Sequence, residues 1–283
     1  MLILSPVFMS KNVIMNISVY IGKKGLDSDP GIRGLIRELS EGGCRVSVLA
    51  DGESPSRDTD IMLAVGGDGT FLSCSRLAAS LDIPVLGVNF GRLGFLSEAR
   101  PSAVAQALLS GGYTVEKRTV LMAETSDGAD ELSYAFNEFT VRRSGAAMLG
   151  VEVSIDGECL PTYWADGLIV STSSGSTAYS LSAGGPIVLP ESKVLIITPI
   201  APHNLNVRPM VVPDSSVISL KMRSRDRNVE FTADNMTASI PAETVIVIRV
   251  AQFSLKRVRL DRSDFIEALT EKLFWGEDVR NIR

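Results

Sequence analysis

Three glycines enclose one carboxylate where an apolar run ends, in Ile61-Met-Leu-Ala-Val-Gly-Gly-Asp-Gly-Thr70. Gly66, Gly67 and Gly69 are free to adopt positive φ and carry no Cβ to fend off a ligand, so the backbone amides of such a loop can approach phosphate closely. Thr70 is expected to open a helix through Ser80, whose N-terminus favours an anion. These four residues are therefore candidate phosphate-binding positions. Asp68 is the odd member: its charge repels phosphate unless it bonds a hydroxyl or helps hold a metal, which points to chemistry rather than binding alone.

A second constellation follows, Asp166-Gly-Leu-Ile-Val-Ser-Thr-Ser-Ser-Gly-Ser-Thr-Ala-Tyr-Ser-Leu-Ser-Ala-Gly-Gly185. Its amides and small hydroxyls can bond a sugar, an amide or adenine without adding net charge. Taken alone it also reads as a serine-rich turn between β elements.

The elements that must position these residues follow from periodicity. From residue 16 to about 110, strand-like runs alternate with helical patterns, the signature of a parallel sheet flanked by helices. Ile32, Leu35, Ile36 and Leu39 recur at helical spacing after Asp29-Pro30 and stop at Gly42-Gly43. Cys44 to Ala50, Ile61 to Val65 and Pro84 to Val88 read as strands, the last followed by Asn89-Phe-Gly-Arg-Leu-Gly-Phe95. Ligands of open α/β sheets gather at loops leaving the carboxyl ends of strands, and both glycine loops fall there. After Gly111-Gly112 short β-rich stretches take over: Thr140 to Arg143, Val151 to Ile155, Val194 to Thr198, Val217 to Met222 and Thr244 to Val250. Phe265, Leu269 and Leu273 restore a helical pattern in the tail. The expected organisation is an extension over 1–14, an α/β domain over 15–115 with a Rossmann-like parallel sheet, a mostly β domain over 116–252, and a strand and helix over 253–283 returning to the first domain.

Composition narrows the function. A chain of 283 residues, 45% hydrophobic, can bury two cores. A net charge of −5 argues against a non-specific nucleic-acid binder. Cys44, Cys74 and Cys159 lack the paired spacing of a zinc site and read as reduced, mostly buried thiols of a cytoplasmic protein. With His203 the single histidine, a two-histidine metal site is excluded, and no G-x-S-x-G elbow accompanies it. The apolar patch Leu2–Met9 is too short to span a bilayer and lacks the basic start of a signal peptide, so no membrane partner is expected. Met15 directly precedes the strand-like Asn16–Ile21 and is an alternative start.

Together the two constellations closely resemble the NAD kinase family, which phosphorylates the adenosine ribose 2′-hydroxyl of NAD to make NADP. The resemblance runs from Met15 onward. It includes Gly66–Thr70, Gly91-Arg-Leu-Gly-Phe95, Asn137-Glu138, residues 166–185, the segment from Pro199 to Pro213, and the basic Lys256-Arg-Val-Arg-Leu260. The Gly-Gly-Asp-Gly loop also occurs in diacylglycerol and sphingosine kinases and in phosphofructokinases; the 166–185 segment is far more specific. The resemblance implies an α/β domain followed by a β-rich one with NAD bound between them, assembly as a homodimer or homotetramer, and ATP or polyphosphate as donor with a divalent metal, Mg²⁺.

By the same likeness Asp68 is the catalytic carboxylate, orienting the ribose hydroxyl early and receiving its proton late. Asn137 and Glu138 would hold ribose hydroxyls or nearby groups of NAD, and Asp166 the nicotinamide end. Ser174, Thr177, Ala178, Tyr179 and Ser182 would line the nucleotide site, with Gly69, Phe95 and Asp234 as further NAD contacts. Arg208, with Lys23 or Lys24, is a candidate phosphate partner. Two departures from the family pattern bear on fine specificity: Trp164-Ala165 precedes Asp166, where relatives often carry a small or basic residue and glycine, and Ser173 stands where a proline is common. A lipid or sugar kinase is the enzymatic rival, disfavoured by the hydroxyl-rich 171–182 segment. A dinucleotide-binding regulator without turnover is the non-enzymatic one.

Overall fold

The computed structural model describes residues 14–23, 25–50, 52–90, 94–128, 132–260 and 265–273. The extension proposed for 1–14 thus lies outside the described residues except for Ile14, as do Lys24 and Gly91 to Leu93. The chain forms two units, 1–117 with 255–283, and 118–254.

The first unit is built on a sheet of seven strands in the order Arg45–Val48, Asn16–Ile21, Ile61–Gly66, Val85–Asn89, Leu255–Leu260, Tyr113–Arg118, with Ser97–Ala99 beside Val85–Asn89. The first four strands pair in parallel. All six residues of Ile61–Gly66 are buried, which is why that run is continuously apolar: a central parallel strand is covered on both faces. The helix Pro30–Glu41 starts where the sequence directs it. Asp29 accepts from the Gly31 amide at 2.7 Å, proline fixes the first turn, and Ile32, Leu35 and Leu39 face the core. The strand expected over Cys44 to Ala50 is shorter, Arg45–Val48, because its residues are mostly exposed at the sheet edge. Strand order reverses at Asn16–Ile21, which lies between Arg45–Val48 and Ile61–Gly66. This switch point is where the carboxyl ends of neighbouring strands open a crevice, and the Gly66–Thr70 loop leaves from it.

The second unit contains two antiparallel sheets. One runs Glu158–Cys159, Leu149–Ile155, Ile218–Arg223, Val245–Val250, Leu121–Thr125, Tyr134–Ala135, with Tyr163–Ala165 also pairing Leu149–Ile155. The other runs Met210–Pro213, Val194–Ile200, Gly167–Thr172, Glu138–Arg143, Asn228–Ala233, Met236–Pro241. Inward residues of both share one apolar core, in which Phe139 stacks on Phe231 with ring centroids 5.3 Å apart. Of the cysteines, all unbridged, Cys74 is buried, Cys44 half-buried and Cys159 exposed on a short edge strand, so the expectation of mostly buried thiols holds fully for one. Among the described residues no helix is long and apolar enough to cross a membrane.

Candidate active site

Asp68 begins a helix rather than preceding one. The helix expected from Thr70 runs Asp68–Ala79, with extended Gly67 as its N-cap and no side chain capping its amides. Gly66 alone of the three loop glycines has positive φ, +155°; Gly67 has φ −97° and Gly69 is helical. The expectation of left-handed freedom at all three is therefore corrected, because the earlier helix start places Gly69 inside the first turn. Their missing Cβ atoms still matter. A Cβ at Gly67 or Gly69 would meet no heavy atom of the described residues within 4 Å, so among them the ground beside Asp68 is open. Thr70 packs inward instead, against the backbone of Gly22 and Gly66.

The Asp68 carboxylate turns away from its own helix. Oδ2 accepts from the Phe95 amide at 2.8 Å, and Oδ1 from the amides of Leu96 and Ser97, both at 3.0 Å. Charge-assisted bonds of this kind are about twice as strong as neutral ones and fix the group in direction. Gly94 is obligatory beside it, since a Cβ there would stand 1.8 Å from Asp68 Oδ1. Lys272 donates to the Gly94 carbonyl and lies 3.8 Å above the Phe95 ring, while Arg257 reaches the Phe95 carbonyl at 3.3 Å. Of its two oxygens, Oδ2 takes a single amide among the described residues and keeps a lone pair for a hydroxyl.

In the second unit Asp234 repeats the motif. Its Oδ2 accepts from the Phe136 amide at 2.8 Å, and its Oδ1 from Asn137 at 2.7 Å and Glu138 at 3.2 Å. Asn137 and Glu138 are each 7% exposed, and Asn137 Oδ1 and Glu138 Oε2 are buried without a hydrogen-bond partner among the described residues. Burial, and then the charge of Asp234, push the Glu138 carboxyl up to about 8 against the Tyr179 amide, which bonds it and pulls the other way.

The hydroxyl-rich segment separates into two sets. Thr172 Oγ1 donates to the Phe136 carbonyl at 2.8 Å and accepts from Gly175 at 3.0 Å; Ser173, Ser176 and Ser180 bond Pro190, Val188 and Thr198. These buried hydroxyls hold the fold. Ser174, Thr177 and Ser182 are not fully buried and have no side-chain partner among the described residues, and Ala178 and Tyr179 are half-buried beside them. Gly175 has to be glycine, since its Cβ would meet the Asn137 carbonyl oxygen at 2.2 Å. The segment is thereby pinned to Asn137, and the Tyr179 amide to Glu138. The Tyr179 hydroxyl bonds the Arg142 guanidinium, which also pairs with Glu230 at 2.9 Å; the Tyr179 bond foremost holds Arg142 in its charged form.

Asp166 sits at a strand end and is held by two contacts from Arg143, Nε to Oδ1 at 2.8 Å and a terminal nitrogen to Oδ2 at 3.3 Å. The Arg208 guanidinium donates to the carbonyls of Leu205 at 2.6 Å and Val207 at 2.8 Å in its own loop. The structure thus gathers Gly66, Gly67, Asp68, Gly69, Thr70 and Phe95 in one unit, and Asn137, Glu138, Asp234 and the 174–182 segment in the other. Sequence reasoning missed Gly94, the amides of Leu96 and Ser97, Arg143, Thr172 and Lys272. Of these, Gly94 left a signal as part of Gly91-Arg-Leu-Gly-Phe95, and Thr172 as part of the hydroxyl-rich 166–185 segment.

Comparison with known proteins gives one consistent answer. Residues 50–110 match the ATP-NAD kinase N-terminal domain and residues 136–260 the ATP-NAD kinase C-terminal domain. The NAD kinase of Flavobacterium psychrophilum is 43% identical over 229 residues, 78% of each chain. That of Porphyromonas gingivalis is 41% identical over 262 residues, covering 91% of this chain and 85% of the relative. Among solved structures, yeast NADH kinase complexed with NADH is similar with a TM-score of 0.83 at 25% identity, over 96% of this chain and 91% of that one. An NAD kinase from Archaeoglobus fulgidus in complex with ATP gives 0.74 at 27% identity, over 92% and 99%.

Proposed function

The chain belongs to the NAD kinase family and is a phosphotransferase, and from that premise we propose how it acts. It moves the terminal phosphoryl group of ATP to the adenosine ribose 2′-hydroxyl of NAD, giving NADP, with Asp68 as the carboxylate that orients the hydroxyl and receives its proton. The observation that carries this reading is the pose of Asp68: three amides aim its carboxylate, and Gly67 and Gly69 leave the approach open. An aspartate is far more acidic than a sugar hydroxyl, so its task is alignment early and proton acceptance late. Phosphoryl transfer depends mainly on positioning and charge neutralisation.

The uncapped amides of the Asp68–Ala79 helix, with its positive dipole end, suit the donor's phosphates. Among the described residues no three His, Cys, Asp or Glu side chains cluster to cage a metal. A divalent ion, Mg²⁺ in this reading, would arrive with the donor and would neutralise the charge of its phosphates. In the second unit Asn137 and Glu138 offer buried oxygens to NAD hydroxyls, Asp166 faces the nicotinamide end, and Ser174, Thr177, Ala178, Tyr179 and Ser182 line the nucleotide. Assembly into a homodimer or homotetramer belongs to the same reading and is checked by light scattering.

The decisive experiment incubates the purified chain with NAD, Mg²⁺ and either ATP or polyphosphate, and follows NADP with a dehydrogenase that accepts only NADP. Product that depends on Asp68 supports the reading and identifies the donor. NAD binding without product would move the protein to the class of dinucleotide-binding regulators.

A further inference from the structure

Asp234 owes its place to a turn. With Asn235 it forms the tip between the strands Asn228–Ala233 and Met236–Pro241, which pair from Ala233 and Met236 outward. Its φ of +52° is a left-handed conformation that Asp tolerates better than most side chains. From that position its amide donates to the Glu138 carbonyl at 3.0 Å, and its carboxylate accepts the amides of residues 136, 137 and 138 in return. One hairpin tip therefore grips the start of the neighbouring strand Glu138–Arg143 at four points. On the gripped segment stand two of the buried side-chain oxygens that lack a partner among the described residues, Asn137 Oδ1 and Glu138 Oε2. A buried polar atom left unsatisfied costs stability, so two side by side mark a place that a ligand completes.

We propose that Asp234 is a positioning residue for the dinucleotide: its carboxylate sets the backbone of residues 136–138 so that the Asn137 and Glu138 side chains meet NAD, without itself touching NAD. This rests on the NAD kinase reading above. The three amides occupy both carboxylate oxygens and draw them onto the backbone. Its charge acts on the same neighbour, since Asp234 adds to the burial that keeps a proton on Glu138 near neutrality; the Tyr179 amide is the opposing group. The pair then offers both an acceptor and a donor, which suits ribose hydroxyls that do both.

Steady-state kinetics of full-length Asp234→Asn tests this. Asparagine keeps the size and the tolerance of the turn but brings an NH₂ against a backbone N–H. The expected result is a rise of about tenfold in KM for NAD, the loss of one well-made charged hydrogen bond, with kcat within about threefold and KM for ATP within about twofold of wild type. A purely structural role would lower the active fraction, hence kcat, and leave KM unmoved. In an Asn137→Ala background the effect of Asp234→Asn on KM is expected to shrink below about twofold, because both act through one segment. Additive effects would mean direct contact with NAD and would overturn the proposal, as would an unchanged KM in a folded variant. Should Asp234→Asn be too unstable to assay, Asp234→Glu keeps the charge, moves it by one methylene and is held to the same KM criterion. A wild-type chain that binds NAD but makes no NADP would remove the kinase reading alone; the tenfold criterion then applies to the NAD dissociation constant.

Discussion

Asp68 and Asp234 are the same device in two settings. Each carboxylate is gripped by three consecutive backbone amides, 95–97 for one and 136–138 for the other. Around Asp68 the neighbours are glycines with open space, so the carboxylate itself is left to face a ligand. Around Asp234 the gripped amides belong to Asn137 and Glu138, whose side chains carry the unsatisfied atoms. In the proposed reading a hydrogen-bonded aspartate acts as a reagent where its surroundings are bare and as an anchor where its partners bear the chemistry. The difference lies in what the amides belong to, and the carboxylate alone does not reveal it.

The largest effect expected from breaking this contrast is at Asp68. Asp68→Asn keeps the size of the side chain and removes the proton acceptor, so turnover should fall about 10²–10⁴-fold while calorimetry finds NAD affinity within about twofold of wild type. Next comes the aim of that carboxylate. Gly94→Ala puts a methyl 1.8 Å from Oδ1, and a displacement of this order should cost about 10² in kcat, together with a lower thermal midpoint. Asp68→Asn should lower the midpoint as well, because asparagine can accept at one atom only and sets an NH₂ against a backbone N–H. The tenfold change in KM at Asp234 stands third.

Glu138 gives a smaller effect with a defined sign. Its folded carboxyl keeps a proton up to about 8, whereas the unfolded chain loses it near the ordinary 4.5, so the folded state binds more protons between those values. Its contribution to stability is complete below pH 4.5 and is lost as pH rises toward 8. Glu138→Gln cannot ionise, so its thermal midpoint should exceed that of wild type by a few degrees at pH 8, with the gap closing toward pH 5. Scans at the two pH values check this; an equal gap at both would contradict it. The smallest effect is expected from Lys272→Ala, which removes a cation–π contact of about 0.5–1 kcal/mol over Phe95 and a bond to Gly94, both one step removed from Asp68. Turnover should drop less than about fivefold, with KM for NAD unchanged.

Much of the scaffold was legible because burial writes periodicity into sequence. The unbroken apolar run at Ile61 announced a strand covered on both faces, and Asp29-Pro30 with Ile32, Leu35 and Leu39 announced a capped helix. The start of the second helix was misread at Thr70. Asp68 is bound to amides 27 to 29 residues further along the chain and does not cap its own helix, so the local rule that favours Thr as an opener had nothing to act on. The partners of both aspartates were invisible for a common reason: they are backbone amides, which no residue type signals. Strand register decides the pairing of Arg143 with Asp166, since Gly167 stands opposite Arg142, and register is a tertiary outcome. The serine-rich stretch showed its polarity but not its division, because which hydroxyls turn inward depends on where Pro190, Val188 and Thr198 lie.

The contrast between reagent and anchor is tested most directly by measuring kcat and KM for NAD of Asp68→Asn and Asp234→Asn side by side, with the same ATP and Mg²⁺. Loss in kcat at constant KM for Asp68, and a raised KM at nearly constant kcat for Asp234, is the predicted outcome. Two variants that shift the same parameter, or the reverse assignment, would contradict it.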